Sequence, residues 1–294
     1  NILITLQKRI IMDKIKIIIK NRLTLLTLSA VFILAISSIL YSCGINLFSV
    51  QDDVKIGQDL DKEIRSSREY PILKGPQEVN DYVSNIGKNI VKSSPLIKYK
   101  DVFPYQFTVI HDSVINAFCT PGGFIYVYTG LIKYLGNEAA LAGVIGHEIA
   151  HAEQRHMTQR LSSYYGASFL LSIVLGNNPN SIAEIMANLF VGLGFLANSR
   201  SDEQEADDLS IRYLRSTKYF PGSIVFFFNR IVGEQKLKGN TPGGLDRILS
   251  THPLPQDRVD NAYQQLKELK IKVDTVNNVY REDYLRIQSL IPNY

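Results

Sequence analysis

Ala139-Ala140-Leu141-Ala142-Gly143-Val144-Ile145-Gly146-His147-Glu148-Ile149-Ala150-His151 is the stretch on which the reading of this sequence turns. Small and aliphatic residues run through it without a proline, as in a helix that buries easily beside a core. Its expected span is 137–163. On a helix, positions i and i+4 lie about 40° apart and one turn up, so His147 and His151 point the same way. Two imidazoles so placed can share one tetrahedral Zn2+, each at about 2.0–2.1 Å from the ion. Glu148 neighbours His147 and reaches a metal-bound water without being a ligand. A carboxylate there is a general base: it takes the proton of the attacking water and later passes it to a leaving amine.

The five-residue pattern His-Glu-x-x-His arises by chance in roughly one chain in a hundred of this length. A third ligand has to decide between a metal site and a surface helix with two solvated histidines. A zinc hydrolase needs one more protein ligand and an open fourth position. A third His six residues beyond His151 is excluded, because that position is Met157. The other solution is a Glu from a later helix, and Ser199-Arg200-Ser201-Asp202-Glu203-Gln204-Glu205-Ala206-Asp207 offers one. Here the sequence resembles the gluzincin metallopeptidases, the family of HtpX, BepA and the CAAX prenyl endopeptidase. Their pattern is Ser-Arg-x-x-Glu-x-x-Ala-Asp after the His-Glu-x-x-His helix. The resemblance implies one zinc ion per chain, with Glu203 as third ligand. It also implies that Asp207, a turn further on, orients a ligand imidazole from behind. Asp202 and Glu205 are read as solvated.

Two further segments carry the resemblance. Asn116-Ala117-Phe118-Cys119-Thr120-Pro121-Gly122-Gly123-Phe124-Ile125-Tyr126-Val127 is similar to the family's Asn-Ala-Phe-x-x-Pro-Gly-Gly segment. That similarity implies an edge strand along the cleft, with Asn116, Gly123, Phe124, Ile125 and Tyr126 beside an added peptide strand. Gly122 and Gly123 suit a turn with positive φ, which an ordinary hairpin would also use. Thr251-His252-Pro253-Leu254-Pro255, followed by Arg258, resembles a Thr-His-Pro element of the family. The resemblance leaves His252 three roles: a gate over the water position, an oxyanion stabiliser, or a packing residue before a Pro-led helix. His111 and His156 have no partner visible in the sequence and are read as structural.

Outward from these motifs, Val54–Ser66 and Gln77–Lys92 have helical spacing, the second with Val79, Tyr82, Val83, Ile86 and Ile90 on one stripe. Gln106–His111, Ser113–Cys119 and Phe124–Thr129 form a small sheet. Gly166–Leu175 and Ile182–Ala197 are apolar helices too short to span a bilayer, placed in the core or along the cleft. Glu203–Thr217, Gly222–Lys236, Gln256–Leu269 and Val279–Ile291 complete the helices. The expected class is α+β, mostly α: a zincin-like fold with a small β-sheet beside the active-site helix.

A chain of 294 residues, 45% hydrophobic, can bury a sizeable core. Its net charge of +4 is uneven. Residues 1–22 carry Lys8, Arg9, Lys14, Lys16, Lys20 and Arg22 against Asp13, residues 23–42 carry no charge, and the remainder is slightly acidic. No basic footprint is left for nucleic acid. Basic residues, an apolar run Leu23–Tyr41 and the small residues at Ser42-Cys43-Gly44 follow the order of a secretory signal. Leu40-Tyr41-Ser42-Cys43 resembles the bacterial lipobox, and a plain transmembrane anchor is the alternative. Met12 is the more natural start. The expected organisation is a signal peptide over 1–42, a tether lipidated at Cys43 over 43–53 and a zinc metallopeptidase domain over 54–294. With Cys43 acylated, Cys119 has no disulfide partner, and the fold stands on its core and its metal.

These readings converge on a lipid-anchored zinc endopeptidase acting on unfolded or misassembled envelope proteins, at the periplasmic face of the outer membrane. The alternative is a chaperone-like or scaffolding lipoprotein with a latent or gated zinc site. Prenyl-protein processing is a third option, set back by the absence of membrane spans after the signal. The oligomeric state is not encoded in any of these motifs.

Overall fold

The computed structural model describes residues 46–163, 198–238, 245–253, 256–274, 276–277 and 279–294. The expected signal segment, Cys43 and the apolar helices at Gly166–Leu175 and Ile182–Ala197 lie outside the described residues. Of the described residues, 48–158 and those from 198 onward belong to one compact unit, and 46–47 and 159–163 to another. In the smaller unit, Leu47 N donates to Ser162 Oγ at 2.9 Å.

In the larger unit, helix α1 (Val50–Ser66) starts four residues ahead of its expected position. The reason is local: Ser49 and Asp52 form a reciprocal capping box that satisfies the first amides. Helix α2 (Gln77–Ser93) buries Val79, Val83, Ile86 and Ile90, the stripe expected from the sequence. Strands β1 (Gln106–Ile110), β2 (Ala117–Thr120) and β3 (Phe124–Tyr128) make a sheet of order β1-β3-β2. β3 pairs parallel with β1, Thr108 opposite Tyr126, and antiparallel with β2, Phe118 opposite Tyr126.

That order corrects one expectation. Phe124, Ile125 and Tyr126 lie on the middle strand, whose backbone is paired on both sides, so they cannot accept an added strand. All five β3 residues are buried, as expected for a strand covered on both faces. Among the described residues β2 is the outer strand on the other side of β3, with Asn116 just before it. The outer side of β1 is partly covered by a bridge between Ile110 and Ile72. The turn from β2 to β3 runs through Gly122 and Gly123 at φ +76° and +83°, where a side chain would be strained.

Helix α3 (Thr129–Tyr134) follows β3 directly, and α4 (Glu138–Glu153) follows it. Asn137 caps α4 by accepting from Ala140 N at 2.8 Å. Every residue of α4 is buried, which makes it the central helix of the unit. It ends ten residues before its expected end. Arg155 adopts φ +59°, and helix resumes only at 156–163. Helices α5 (Arg200–Leu214), α6 (Ile224–Lys238), α7 (Asp246–Thr251), α8 (Gln256–Glu268) and α9 (Arg281–Leu290) follow. α5 begins at a second capping box, Ser199 with Asp202.

Around α4 pack α5, α6, α2 and strand β2. Ser210 Oγ on α5 donates to Gly143 O on α4 at 2.8 Å, fixing the two helices in register. The molecule is thus mostly helical with a small sheet beside the His-bearing helix, as the sequence implied. Among the described residues no helix is long and apolar enough to cross a membrane.

Candidate metal centre

The α4–α5 register brings the separated motifs to one point. His147 and His151 on α4 present their Nε2 atoms 2.9 Å apart. From α5, Glu203 places Oε1 3.2 Å from His151 Nε2 and Oε2 3.5 Å from His147 Nε2. Ligands at zinc–nitrogen and zinc–oxygen distances sit on tetrahedron edges of about 3.3–3.4 Å. The three separations lie near that edge, with each carboxylate oxygen facing a different imidazole, and the donors suit a zinc ion in kind. His147, His151 and Glu203 are all under 5% exposed.

A fourth donor stands at the same point. His252, just after α7, has Nδ1 2.9 Å from Glu203 Oε1 and 3.4 Å from His147 Nε2. The donor atoms of His147, His151, Glu203 and His252 lie within 4.8 Å of one another. Asn198 Nδ2 joins them, 3.1 Å from His252 Nδ1 and in contact with Glu203 Oε1. Glu148 is buried at the edge of the cluster and outside the donor set, its Oε1 3.7 Å from His252 Nε2. An apolar cleft beside His147, Glu148 and His252 is lined by Val144, Ile224, Phe227, Ile248 and Leu249.

The family model of peptidase family M48 matches residues 77–266, the span that supplies all of these groups. This chain belongs to peptidase family M48. Members of the family use a metal, and the His-His-Glu-His cluster is where this M48 chain could hold one. Among its relatives, the beta-barrel assembly-enhancing protease of Escherichia coli K12 is 26% identical over 231 residues, 76% of this chain and 45% of the relative. The mitochondrial metalloendopeptidase OMA1 of Schizosaccharomyces pombe is 26% identical over 246 residues, 83% of this chain and 69% of the relative. OMA1 of Arabidopsis thaliana is 28% identical over 202 residues, 69% of this chain and 39% of the relative. The chain spans less than half the length of the beta-barrel assembly-enhancing proteases it matches.

Behind the donors lies a second layer of charge. Asp207 Oδ1 stands 2.9 Å from His147 Nδ1. Arg258 on α8 clamps Asp207 through two contacts of 2.7 Å and reaches Glu203 Oε2 at 2.6 Å. Arg258 Nη1 also donates to Pro253 O, which ties the segment after His252 to the same guanidinium. Burial opposes charge on His147, but the carboxylates of Asp207 and Glu203 outweigh it and raise its pKa to about 10. His151 goes the other way: burial, then the charge on His147, hold it well below the usual imidazole range. Burial works against charge on Glu203 too, yet His252 and the two α4 histidines hold its carboxyl far below the ordinary value.

The structure therefore brings together His147, Glu148, His151, Glu203, Asp207 and His252. Asn116 instead immediately precedes β2 and Gly123 immediately precedes β3, and Cys43 lies outside the described residues. Sequence reasoning passed over Arg258, Asn198 and His156. Arg258 stood in the Thr-His-Pro segment without a role, and the signal that could have found it was the need of two buried carboxylates for a cation. Asn198 immediately precedes the Ser199 cap, and its sequence gives no hint of a partner 54 residues away in His252.

Proposed function

We propose that this M48 chain is a zinc-dependent endopeptidase of the cell envelope that hydrolyses peptide bonds in unfolded or misassembled proteins. The observation that carries the proposal is the triangle of His147, His151 and Glu203 at 2.9–3.5 Å with the buried carboxylate of Glu148 beside it. Those three residues would hold the ion, which when bound acidifies water and polarises the scissile carbonyl. Glu148 takes the proton of the attacking water. As the C–N bond breaks, the same carboxyl delivers that proton to the amine nitrogen. Asp207, held by Arg258, keeps His147 turned so that Nε2 faces the donor set. β2, an outer strand of the sheet among the described residues, is the strand beside which an extended peptide would pair. The small apolar pocket lined by Val144, Ile224 and Phe227 gives the site an apolar wall next to His147 and Glu148.

The substrate class draws support from the relatives, two groups of which are named as a protease that enhances β-barrel assembly and as a metalloendopeptidase. Cys43 as a lipid-bearing residue and the periplasmic face of the outer membrane belong to the same proposal, resting on the signal-like order of residues 1–44. The position of His252 favours a second description of the same site. Nδ1 of His252 stands close to Glu203 and His147, where a fourth donor would stand; this supports a gating role, and a gated protease would spend part of its time as a binding protein.

Replacing Glu148 by Gln tests the reaction. The variant is expected to fold and to bind zinc like the wild type while losing casein hydrolysis by about 10²–10⁴-fold, the contribution of a general base. Casein cleavage at the wild-type rate would overturn the mechanism.

A further inference from the structure

His156 is 2% exposed and stands outside the donor set, yet it is not a passive core residue. Its Nδ1 lies 2.8 Å from Nδ1 of His151, and its Nε2 lies 3.2 Å from Oε2 of Glu205. The two imidazoles meet edge to face, with centroids 4.9 Å apart at 71°. Glu205 is half exposed, and its other oxygen accepts from Gln154 Nε2 at 2.7 Å.

This contact is not what a helix provides. Residues five apart on a continuous helix lie about 140° apart around the axis, so their side chains diverge. Here α4 stops at Glu153, Arg155 takes φ +59°, and the chain re-enters helix at His156 with its ring against His151. A left-handed non-glycine residue persists only where its surroundings hold it. Arg155 is held: its guanidinium pairs with Asp53, which is 1% exposed, and donates to Phe48 O. The N-terminal turn of α1 therefore maintains the break that delivers His156.

Protons can be placed along this chain in one consistent way. His151 turns Nε2 toward His147 and Glu203, so an Nε2 lone pair that is to bind a metal leaves the proton on Nδ1. That Nδ1–H donates to His156 Nδ1, which must then be an acceptor. The proton of His156 is left on Nε2, where it donates to Glu205. We propose that His156 is a positioning residue of the metal centre: as a neutral acceptor it holds His151 in its Nδ1–H tautomer and fixes the plane of that ring, with Glu205 fixing His156 in turn. The inference rests on the reading of His147, His151 and Glu203 as the metal-holding residues. It makes the two α4 imidazoles unlike, since His147 is backed by a buried carboxylate and His151 by a neutral ring.

Two measurements test it. Zinc affinity is compared by chelator competition for wild type, His156→Phe and His156→Gln. Phe keeps a ring but has no acceptor, and Gln offers an amide oxygen. The expected result is a 10–100-fold loss of affinity for His156→Phe, the range for outer partners of ligand histidines, and substantial recovery for His156→Gln. The proton positions are read in the wild type by long-range 1H–15N spectra of the zinc-loaded protein, a measurement no folding defect can obscure. They should show Nδ1–H on His151 and Nε2–H on His156. A His156→Phe affinity within twofold of wild type, or a proton found on His156 Nδ1, overturns the inference. Failure of the wild type to bind zinc sinks the metal reading instead, so the two failures are distinguishable.

Discussion

Arg258 ties three parts of the centre together from outside the donor set. It is 5% exposed and touches Asp207, Glu203 and the carbonyl of Pro253. Burial disfavours its charge, but Asp207 and Glu203 outweigh that and raise its pKa further. Breaking a buried pair by removing one partner leaves an uncompensated charge and costs about 3–5 kcal/mol. Arg258→Met is therefore expected to destabilise the protein by about that amount in urea unfolding, and to weaken zinc binding because Asp207 is released from His147. His252 gives the second prediction at this scale. If its imidazole occupies the fourth corner, His252→Ala raises basal casein hydrolysis, about tenfold for each 1.4 kcal/mol by which the closed state is favoured. A fall in kcat instead assigns the residue to the oxyanion. The sequence made His147, Glu148 and His151 legible because their relation is one helical turn. Glu203 and Asp207 were legible through a motif with the same periodicity. Arg258, Asn198 and His156 were not, since each acts through a partner that only tertiary folding, or a break in a helix, brings near.

The elements that place these residues depend on close approaches that side chains would prevent. α6 crosses α4 at Gly143, where an added Cβ would come within 2.5 Å of Ile224 N and 2.7 Å of Ser223 C. Both are backbone atoms, so the contact cannot be relieved by a rotamer change. Gly143→Ala is expected to lower stability by about 1–3 kcal/mol, the usual range for overpacking, as measured by thermal melting. It should also reduce casein turnover, because α6 supplies Ile224 and Phe227 to the cleft. Helix positions were readable from the sequence through caps and stripes: Val79, Val83, Ile86 and Ile90 sit where the periodicity put them. The break at Arg155 was not readable, since neither Gly nor Pro marks it and its cause is Asp53, a hundred residues earlier. Strand order was hidden for a related reason. A strand as uniformly apolar as Phe124–Tyr128 does not reveal which neighbour it pairs with, and the parallel partner β1 is separated from it by β2.

Across the larger unit the burial of charge sets the strongest expectation. α4 and α5 bury Glu148, Glu203 and Asp207 together, and among the described residues Arg258 is the cation packed against them. Without a divalent ion, that excess of negative charge is met by His147, whose pKa rises to about 10. The sign of the linkage follows. A group whose folded pKa lies above its unfolded value, about 6.5 for His, adds stability that is complete below that unfolded value. The contribution is lost as pH rises through the folded pKa. In EDTA, the melting temperature should therefore decline between about pH 6.5 and pH 10. A zinc ion bound to the neutral imidazole replaces that proton and removes this dependence. Restoring zinc at about 100 to 1,000 times its Kd should add about 2.7–4.1 kcal/mol by mass action and raise the melting temperature at every pH in that window. A metal-free protein whose melting temperature is flat with pH, and unmoved by added zinc, would mean that the charge of Glu148, Glu203 and Asp207 is balanced in some other way.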